Sequence, residues 1–253
     1  MVIVVPYHQD ERLPGDLLPV PAAAATRVID PELPSGDLWT RLSALGEAVA
    51  GAVAAVPSPV TVVSGDCLLA VAVLAGAQRA AAQRAAAQPD PALVWLDAHG
   101  DVHTRATSTS GYPGGLSLRL ALGGDPELVA ARLGLRPVPE DRVLLVGARD
   151  LDPAEVAFLA ASRIRRTTVT GLSAGDAPDG PLVLHVDLDV VDPAELPGLL
   201  FPAPGGPPAA EVVAAVRRLR ATGRVAVLHI ACPWLRVAEP AGRRALLEAL
   251  LAE

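Results

Sequence analysis

The chain has 253 residues, of which 51% are apolar and 19% charged, and its formal net charge is −7. This length suits one α/β domain, so we predict a single domain over residues 1–253. The acidic balance without a basic stripe argues against nucleic acid as a partner. The absence of lysine excludes mechanisms that need a Schiff-base or phosphate-loop lysine.

Membrane and export signals are weak. The longest apolar run, residues 68–77, is about half of the roughly 20 residues that a membrane crossing needs. The N-terminal segment has no basic start typical of a secretory signal. Two cysteines make no disulfide framework. We therefore expect a cytoplasmic protein with no membrane partner.

Short β-branched runs alternate with longer segments rich in alanine and leucine. The predicted strands are residues 2–5, 60–63, 93–96, 142–147, 182–189 and 224–230. Nearly apolar strands separated by helices indicate a parallel sheet covered on both faces. The sequence therefore predicts an α/β fold.

Residues typical of helix ends predict helices in the segments between these strands. Asp37 is expected to cap a helix that ends at Val56, and residues 68–88 form a long alanine-rich helix. A third helix starts at Pro207 and Pro208 and ends near Gly223. The segment 7–35, rich in proline and acidic residues, is predicted to be a long surface excursion.

Polar groups follow five of the predicted strands, and parallel sheets bind ligands at the carboxyl ends of their strands. These groups are Cys67, the Asp97 cluster, Asp150 with Asp152, the Asp187 cluster and Cys232. We expect all five segments to meet at one edge of the sheet.

Two of these clusters have the composition of a metal site. Asp97, His99 and Asp101 alternate in "DAHGD", and Asp187 and Asp189 alternate in "DLD", so each set points one way. Either cluster alone could simply cap a turn, but together they favour two divalent cations, with manganese preferred for oxygen-rich ligation. Such a pair acidifies a bridging water, so metal-assisted hydrolysis is the predicted chemistry.

"DAHGD" followed by "TSG", then "DLDVVDP" and "PAPGG", resemble the motifs of the arginase, agmatinase and formiminoglutamase family, the ureohydrolases. The resemblance implies a three-layer α/β/α fold, a homo-oligomer, and two Mn²⁺ ions whose bridging hydroxide attacks a guanidinium carbon. It also implies bridging roles for two ligands and a hydrogen bond from the hydroxide to Asp101. The implied ligands are Asp97, His99, Asp101, Asp187 and Asp189, of which Asp97 and Asp187 bridge.

Three positions depart from that family. Cys67 in "SGDC" replaces a ligand histidine, and because a thiolate is softer and must lose a proton, we expect one ion to be weakly held or absent. A branch resembling the N-hydroxyarginine hydrolases also has cysteine here, while a buried cysteine can instead be a small hydrophobe. Gly114 replaces a proton-shuttling histidine, and Ile230 replaces the glutamate that holds the guanidinium.

Other residues are candidates for substrate binding. Asp152 resembles the family residue that recognises an α-amino group, although it can equally cap a helix with Glu155. Ser108 and Ser110 correspond to hydroxyls near the α-carboxylate. His103, which replaces an asparagine, is a candidate acid/base group beside Asp101 or a substrate contact.

Two further hypotheses concern buried positions. His185 lies two residues before Asp187 on a strand, so it is a candidate extra ligand, acid/base group or substrate contact, or a core histidine. Cys67 and Cys232 both follow strands and are candidates to share a metal or to form a disulfide.

These observations predict a metal-dependent hydrolase that cleaves a C–N bond of a guanidino or amidino amino acid such as arginine or N-hydroxyarginine. With Ile230 in place of a carboxylate, a less basic substrate than arginine is favoured, because an unpaired buried cation is costly. The alternative is an arginase-fold protein without catalysis that serves as a binding or regulatory subunit.

Overall fold

The computed structural model describes residues 1–21, 24, 26–84, 89–237 and 240–252. Its main feature is an eight-stranded sheet in which every described strand pair is parallel. In chain order its strands are β1 (Val2–Val5), β4 (Thr26–Val28), β5 (Val60–Ser64), β6 (Ala92–Leu96), β7 (Val143–Val146), β8 (Arg165–Thr167), β9 (Leu182–Asp187) and β10 (Val225–Ala231). Across the sheet the order is β4-β1-β5-β10-β9-β6-β7-β8.

Helices cover both faces of this sheet and give it three layers. They are α1 (Leu38–Ala54), α2 (Ala70–Gln83), α3 (Ser117–Ala121), α4 (Pro153–Ala161), α5 (Ala209–Arg220) and α6 (Ala241–Leu251). One apolar layer packs between the sheet and α1 and α2, and the other between the sheet and α5 and α6. The predicted α/β/α fold with a largely parallel sheet is therefore confirmed. None of the helices in the described ranges has the length and apolar character that a membrane crossing requires.

The segment predicted as a surface excursion, residues 7–35, is mostly exposed or half-buried where it is described, but it contains strands that were not predicted. A small antiparallel ladder pairs β2 (Tyr7–His8) with β3 (Glu11–Arg12), and β4 forms an edge of the main sheet. Both edge strands, β4 and β8, escaped prediction because they carry arginine and threonine in place of an apolar run. Tyr7 is buried and its carbonyl accepts a hydrogen bond from Gly65 at 3.0 Å.

The predicted helices need smaller corrections. Asp37 caps α1 by accepting a hydrogen bond from the Thr40 amide at 2.8 Å, as expected, but the helix ends at Ala54. The segment predicted over 68–88 begins with a short 3-10 helix (Cys67–Leu69) and continues as α2 to Gln83. Its last residues, 85–88, lie outside the described residues.

Close packing of α1 against α2 gives a stability prediction. A Cβ atom at Gly76 would lie 2.7 Å from the Ala50 carbonyl oxygen and 2.7 Å from the Val53 Cβ atom. Because backbone must move, we expect Gly76→Ala to lower the free energy of unfolding by about 1–3 kcal/mol in urea titrations. Gly51→Ala is the matched control: no atom lies within 4 Å of its Cβ position, so that exposed helical site gains up to about 1 kcal/mol.

Candidate metal centre and substrate cavity

A cavity of about 220 Å³ lies at the carboxyl ends of the central strands. Its wall contains seven carboxylates and neither lysine nor arginine among the described residues. The lining residues are Cys67, Asp97, His99, Asp101, His103, Ser110, Tyr112, Gly115, Asp150, Asp152, Glu155, Asp187, Asp189, Phe201 and Pro233. The five predicted segments therefore meet here, but the Cys232 side chain is not part of the wall, where its neighbour Pro233 lies instead.

Asp97 follows β6 and is held by two donors. The Trp95 indole N–H donates to its Oδ2 at 3.0 Å, and the His99 amide donates to its Oδ1 at 2.7 Å. The Nδ1 atom of His99 lies 3.0 Å from Asp189 Oδ2 and 3.4 Å from Asp97 Oδ1. His99 thus turns Nδ1 toward the carboxylates, as a metal-binding imidazole would.

Asp187 and Asp189 stand at the end of β9, where a 3-10 helix (Leu188–Val190) begins. Asp187 Oδ1 accepts a hydrogen bond from the Asp189 amide at 2.9 Å. Asp189 Oδ1 accepts one from the Ala98 amide at 3.2 Å, which ties the two acidic segments together. The second oxygen of Asp189 contacts His99 Nδ1 at 3.0 Å.

Asp101 completes the acidic cluster in an uncommon backbone conformation. Its φ is +53°, in the left-handed region that non-glycine residues seldom occupy and that marks many functional sites. Its Oδ2 atom is buried and has no hydrogen-bond partner in the part of the chain that the structure describes. A buried carboxylate oxygen without a partner is costly, and a bound cation would satisfy it.

Positive charge would stabilise this cluster, because burial and mutual repulsion disfavour its ionised carboxylates. Burial, reinforced by neighbouring carboxylates, raises the pKa of Asp101 and Asp187 well above the usual range and that of Asp189 to about 6. Burial opposes the charge of His99, but Asp189 and Asp97 outweigh it and raise its pKa to about 12. Divalent cations would replace these retained protons.

The donor set fits such cations. Ligand atoms of Asp97, His99 and Asp189 lie within 4.8 Å of one another, and so do those of Asp97, His185 and Asp187. The two groups share Asp97, so the residues can hold two neighbouring ions. Carboxylate oxygens with imidazole nitrogens suit Mn²⁺ or a similar ion.

Cys67 also lines the cavity, but as a protonated thiol. Its sulfur lies 3.7 Å from the Gly114 carbonyl oxygen, and the Ser117 hydroxyl lies 3.5 Å from it. Burial, followed by the charges of Asp101 and Asp66, raises the pKa of this thiol. Only the charge of a metal ion would make it a thiolate ligand.

The hypothesis that Cys67 and Cys232 pair is wrong. Both are free thiols, and they lie in the apolar layers on opposite faces of the sheet. Ile230 belongs to the same layer as Cys232 and is fully buried there. Ile230 and Cys232 are therefore not part of the cavity wall, whereas Cys67 is.

Tyr112, which sequence reasoning missed, explains Gly114. Its hydroxyl donates to Asp66 Oδ2 at 3.0 Å and lies 3.3 Å from His8 Nε2. A Cβ atom at Gly114 would lie 2.3 Å from the Tyr112 ring, so the glycine leaves room for this tyrosine. The phenol stands in the wall where the resemblance implies an imidazole, and its ring contacts Phe201 with centroids 4.6 Å apart.

His103 and Asp152 form one side of the cavity together. His103 Nε2 lies 3.1 Å from Asp152 Oδ2, and its Nδ1 lies 3.2 Å from the Thr107 hydroxyl. Asp152 is also the N-cap of α4, where its amide donates to Glu155 Oε2 at 3.1 Å. The capping interpretation is therefore correct, while the half-exposed side chain still faces the cavity. Glu155, a buried carboxylate whose pKa is raised by burial, adds a lining residue that was not predicted.

The remaining predicted substrate contacts differ in position. Ser110 lines the cavity and accepts a hydrogen bond from the Tyr112 amide at 3.2 Å. Ser108 accepts one from the Gly111 amide at 3.1 Å and is not part of the wall. His185 is fully buried against Trp95, with ring centroids 3.8 Å apart, and is also outside the wall. The structure therefore does not support a substrate contact for His185.

The fold and this cluster define an α/β/α protein with a candidate site for two divalent metal ions. A model of the Arginase family matches residues 14–232, so the chain belongs to the arginase family.

Among similar sequences, an arginase of Bacillus caldovelox is 31% identical over 215 residues, which is 76% of this chain and 67% of the relative. An N(omega)-hydroxy-L-arginine amidinohydrolase of Streptomyces lavendulae is 34% identical over 118 residues, 43% of this chain and 40% of the relative. With an arginase of Eremothecium gossypii, the match spans 73% of this chain but only 48% of the relative.

Solved structures agree with the fold. The arginase of Bacillus subtilis superimposes with a TM-score of 0.78 at 25% identity, covering 100% of this chain and 98% of the other. The arginase of Entamoeba histolytica gives a TM-score of 0.81 at 18% identity, with coverages of 100% and 98%.

Proposed function

We propose that this protein is a manganese-dependent amidinohydrolase that cleaves a C–N bond in the guanidino group of an amino acid. The observation that carries the proposal is the pair of ligand groups that share Asp97 at the floor of the cavity. Two divalent ions bound there would acidify a shared water enough for attack on a guanidino carbon near neutral pH.

The residues of the cavity would have two kinds of role, metal binding and proton transfer. Asp97, Asp187, Asp189 and His99 would hold the ions, and the unpartnered Asp101 oxygen is available as a ligand and as an acceptor for the nucleophile's proton. His103, which pairs with Asp152 at 3.1 Å, would exchange a proton with the leaving nitrogen.

The charge of the cavity supports a cationic substrate. Seven carboxylates line it, so two divalent ions leave it acidic. Asp152, whose half-exposed carboxylate lines the cavity, would attract an α-ammonium group. An α-amino acid therefore suits the cavity better than an anionic substrate.

Within that class, we propose an N-hydroxyguanidine as the preferred substrate. Ile230 is buried in an apolar layer, and β10 (Val225–Ala231, "VAVLHIA") has no carboxylate to pair with a guanidinium. A less basic group loses less on leaving water. The name of the Streptomyces lavendulae relative supports this choice.

The test is a rate comparison. Protein loaded with Mn²⁺ receives L-arginine, Nω-hydroxy-L-arginine or agmatine, and release of urea or hydroxyurea is measured. We expect the hydroxylated amino acid to give the highest kcat/KM and agmatine, which lacks the α-carboxylate, the lowest. A higher kcat/KM for arginine would refute the substrate preference, and no release from any of the three would refute the proposed activity.

The alternative, a binding or regulatory subunit without catalysis, is not favoured. The described residues keep the complete carboxylate and imidazole cluster inside the cavity. Such a cluster without a metal would destabilise the fold, because buried like charges repel one another.

A further inference from the structure

Three aromatic side chains form a row across the sheet directly beneath the metal cluster. Trp95 on β6 pairs in register with His185 on β9, which pairs with His229 on β10. Asp97, directly after β6, stands two residues after Trp95, and Asp187, at the end of β9, stands two residues after His185, so these side chains point to the same face. Both histidines are fully buried.

A chain of hydrogen bonds fixes the tautomers of this row. The Ser64 hydroxyl donates to the Asp66 carbonyl oxygen at 2.9 Å, so it accepts from His229 Nε2, which lies 2.8 Å away. A neutral imidazole that donates through Nε2 has a lone pair on Nδ1. The Nδ1 atoms of the two histidines are 2.8 Å apart, so His185 donates through Nδ1.

The consequence is a free lone pair on His185 Nε2. This atom is buried and has no hydrogen-bond partner among the described residues. His185, Asp97 and Asp187 have ligand atoms within 4.8 Å of one another. A cation bound between the two carboxylates would pair with this nitrogen and with both of them.

We propose that Nε2 of His185 is a ligand of the metal ion held between Asp97 and Asp187, an inference that rests on the proposed metal-dependent function. An imidazole whose other nitrogen donates a hydrogen bond is oriented as metal-binding histidines usually are. This ligand supplies the nitrogen donor that position 67 lacks, while the Cys67 thiol keeps its proton near the Gly114 carbonyl.

The first test measures Mn²⁺ affinity in His185→Asn, whose amide N–H can still donate to His229, and in Cys67→Ser. Thermal unfolding in EDTA gives the folding loss of each variant, and the rise in Tm on adding Mn²⁺ isolates metal binding. We expect His185→Asn to weaken Mn²⁺ binding at least tenfold, the low end of what altered metal shells cost, and Cys67→Ser to weaken it less. Unchanged binding in His185→Asn, or a larger loss in Cys67→Ser, would overturn the proposal.

A second test counts coordinated nitrogens and needs no activity. In His99→Asn loaded with Mn²⁺, electron spin-echo modulation with ¹⁵N-labelled histidine detects nitrogens bound to the ion. The proposal predicts a histidine nitrogen in this variant and none in His99→Asn/His185→Asn. Absence of nitrogen coupling in His99→Asn overturns it, even if the native protein binds two ions and hydrolyses its substrate. A native protein that binds no Mn²⁺ would overturn this proposal and the proposed function together.

Discussion

Asp187→Asn is expected to weaken Mn²⁺ binding at least a hundredfold and to reduce kcat by a similar factor, because a direct ligand should exceed the roughly 10–100-fold cost of altering an outer-shell partner. The change keeps the local structure, since the Asn oxygen can still accept the Asp189 amide that now donates to Asp187 Oδ1 at 2.9 Å. Isothermal titration with Mn²⁺ and product release under saturating substrate measure the two effects.

The same variant has a second signature in chelator. At pH 8 in EDTA, Asp187→Asn should be at least as stable as the native protein, because it removes a carboxylate that burial and the charges of Asp189 and Asp97 disfavour. Asp176→Asn, an exposed turn residue far from the cavity wall, is the control and should leave metal affinity unchanged. If Asp187→Asn bound Mn²⁺ as the native protein does, Asp187 would not be a ligand.

The fall of stability with rising pH is expected to shrink when Mn²⁺ is added. For Asp189, the pKa rises from 3.8 to about 6 on folding, so the folded state binds more protons than the unfolded state between these values. Stability in EDTA therefore falls as pH rises through this window, by roughly 3 kcal/mol for a shift of this size. Asp101 and Asp187, whose pKa values are raised further, extend the fall to higher pH.

The titration of His99 also makes the metal-free protein less stable as pH rises. Its pKa rises from 6.5 to about 12 on folding, so its stabilisation is complete below pH 6.5 and is lost as pH rises toward 12. Bound metal ions displace all of these protons, and the stabilisation that Mn²⁺ confers must therefore increase with pH.

The measurement is Tm between pH 6 and pH 8, in EDTA and in excess Mn²⁺. We expect Tm in EDTA to fall as pH rises, and the difference between the two series to widen. If Tm changed with pH equally in EDTA and in Mn²⁺, the cluster would not exchange protons for metal.

The convergence of the acidic cluster was predictable because its two parts are local in sequence. Asp97, His99 and Asp101 alternate within five residues, and Asp187 and Asp189 within three, each set directly after an apolar strand. In a parallel sheet the carboxyl ends of neighbouring strands lie at the same edge, irrespective of the conformation of the loops. The central strands were predictable for the same reason, since buried strands have continuous apolar runs.

The rest of the cavity depends on contacts between distant segments. The Tyr112 hydroxyl contacts Asp66 and His8, which are 46 and 104 residues away in the sequence. No local sequence pattern predicts contacts of this kind. The N-terminal hairpin escaped prediction because its composition is that of a loop. Tyr7 is its one buried strand residue, and its carbonyl lies so close to Gly65 that a Cβ atom there would meet it at 2.8 Å.

The histidine row illustrates the same limit. Sequence places His185 two residues before Asp187 and leaves open whether it is a ligand, an acid/base group or a core residue. Only the register of β9 with β10, which aligns His185 with His229, shows which of its nitrogens is free. The buried hydrogen bonds from His185 through His229 and Ser64 to the Asp66 carbonyl oxygen thus leave His185 Nε2 as the free nitrogen.

The binuclear centre is tested most directly by the metal content of the native protein, purified with added Mn²⁺, desalted without chelator and measured by mass spectrometry. We expect about two Mn²⁺ ions per chain, one for each of the ligand groups that share Asp97. A chain that retains one ion or none would contradict the binuclear centre on which the proposed hydrolysis depends.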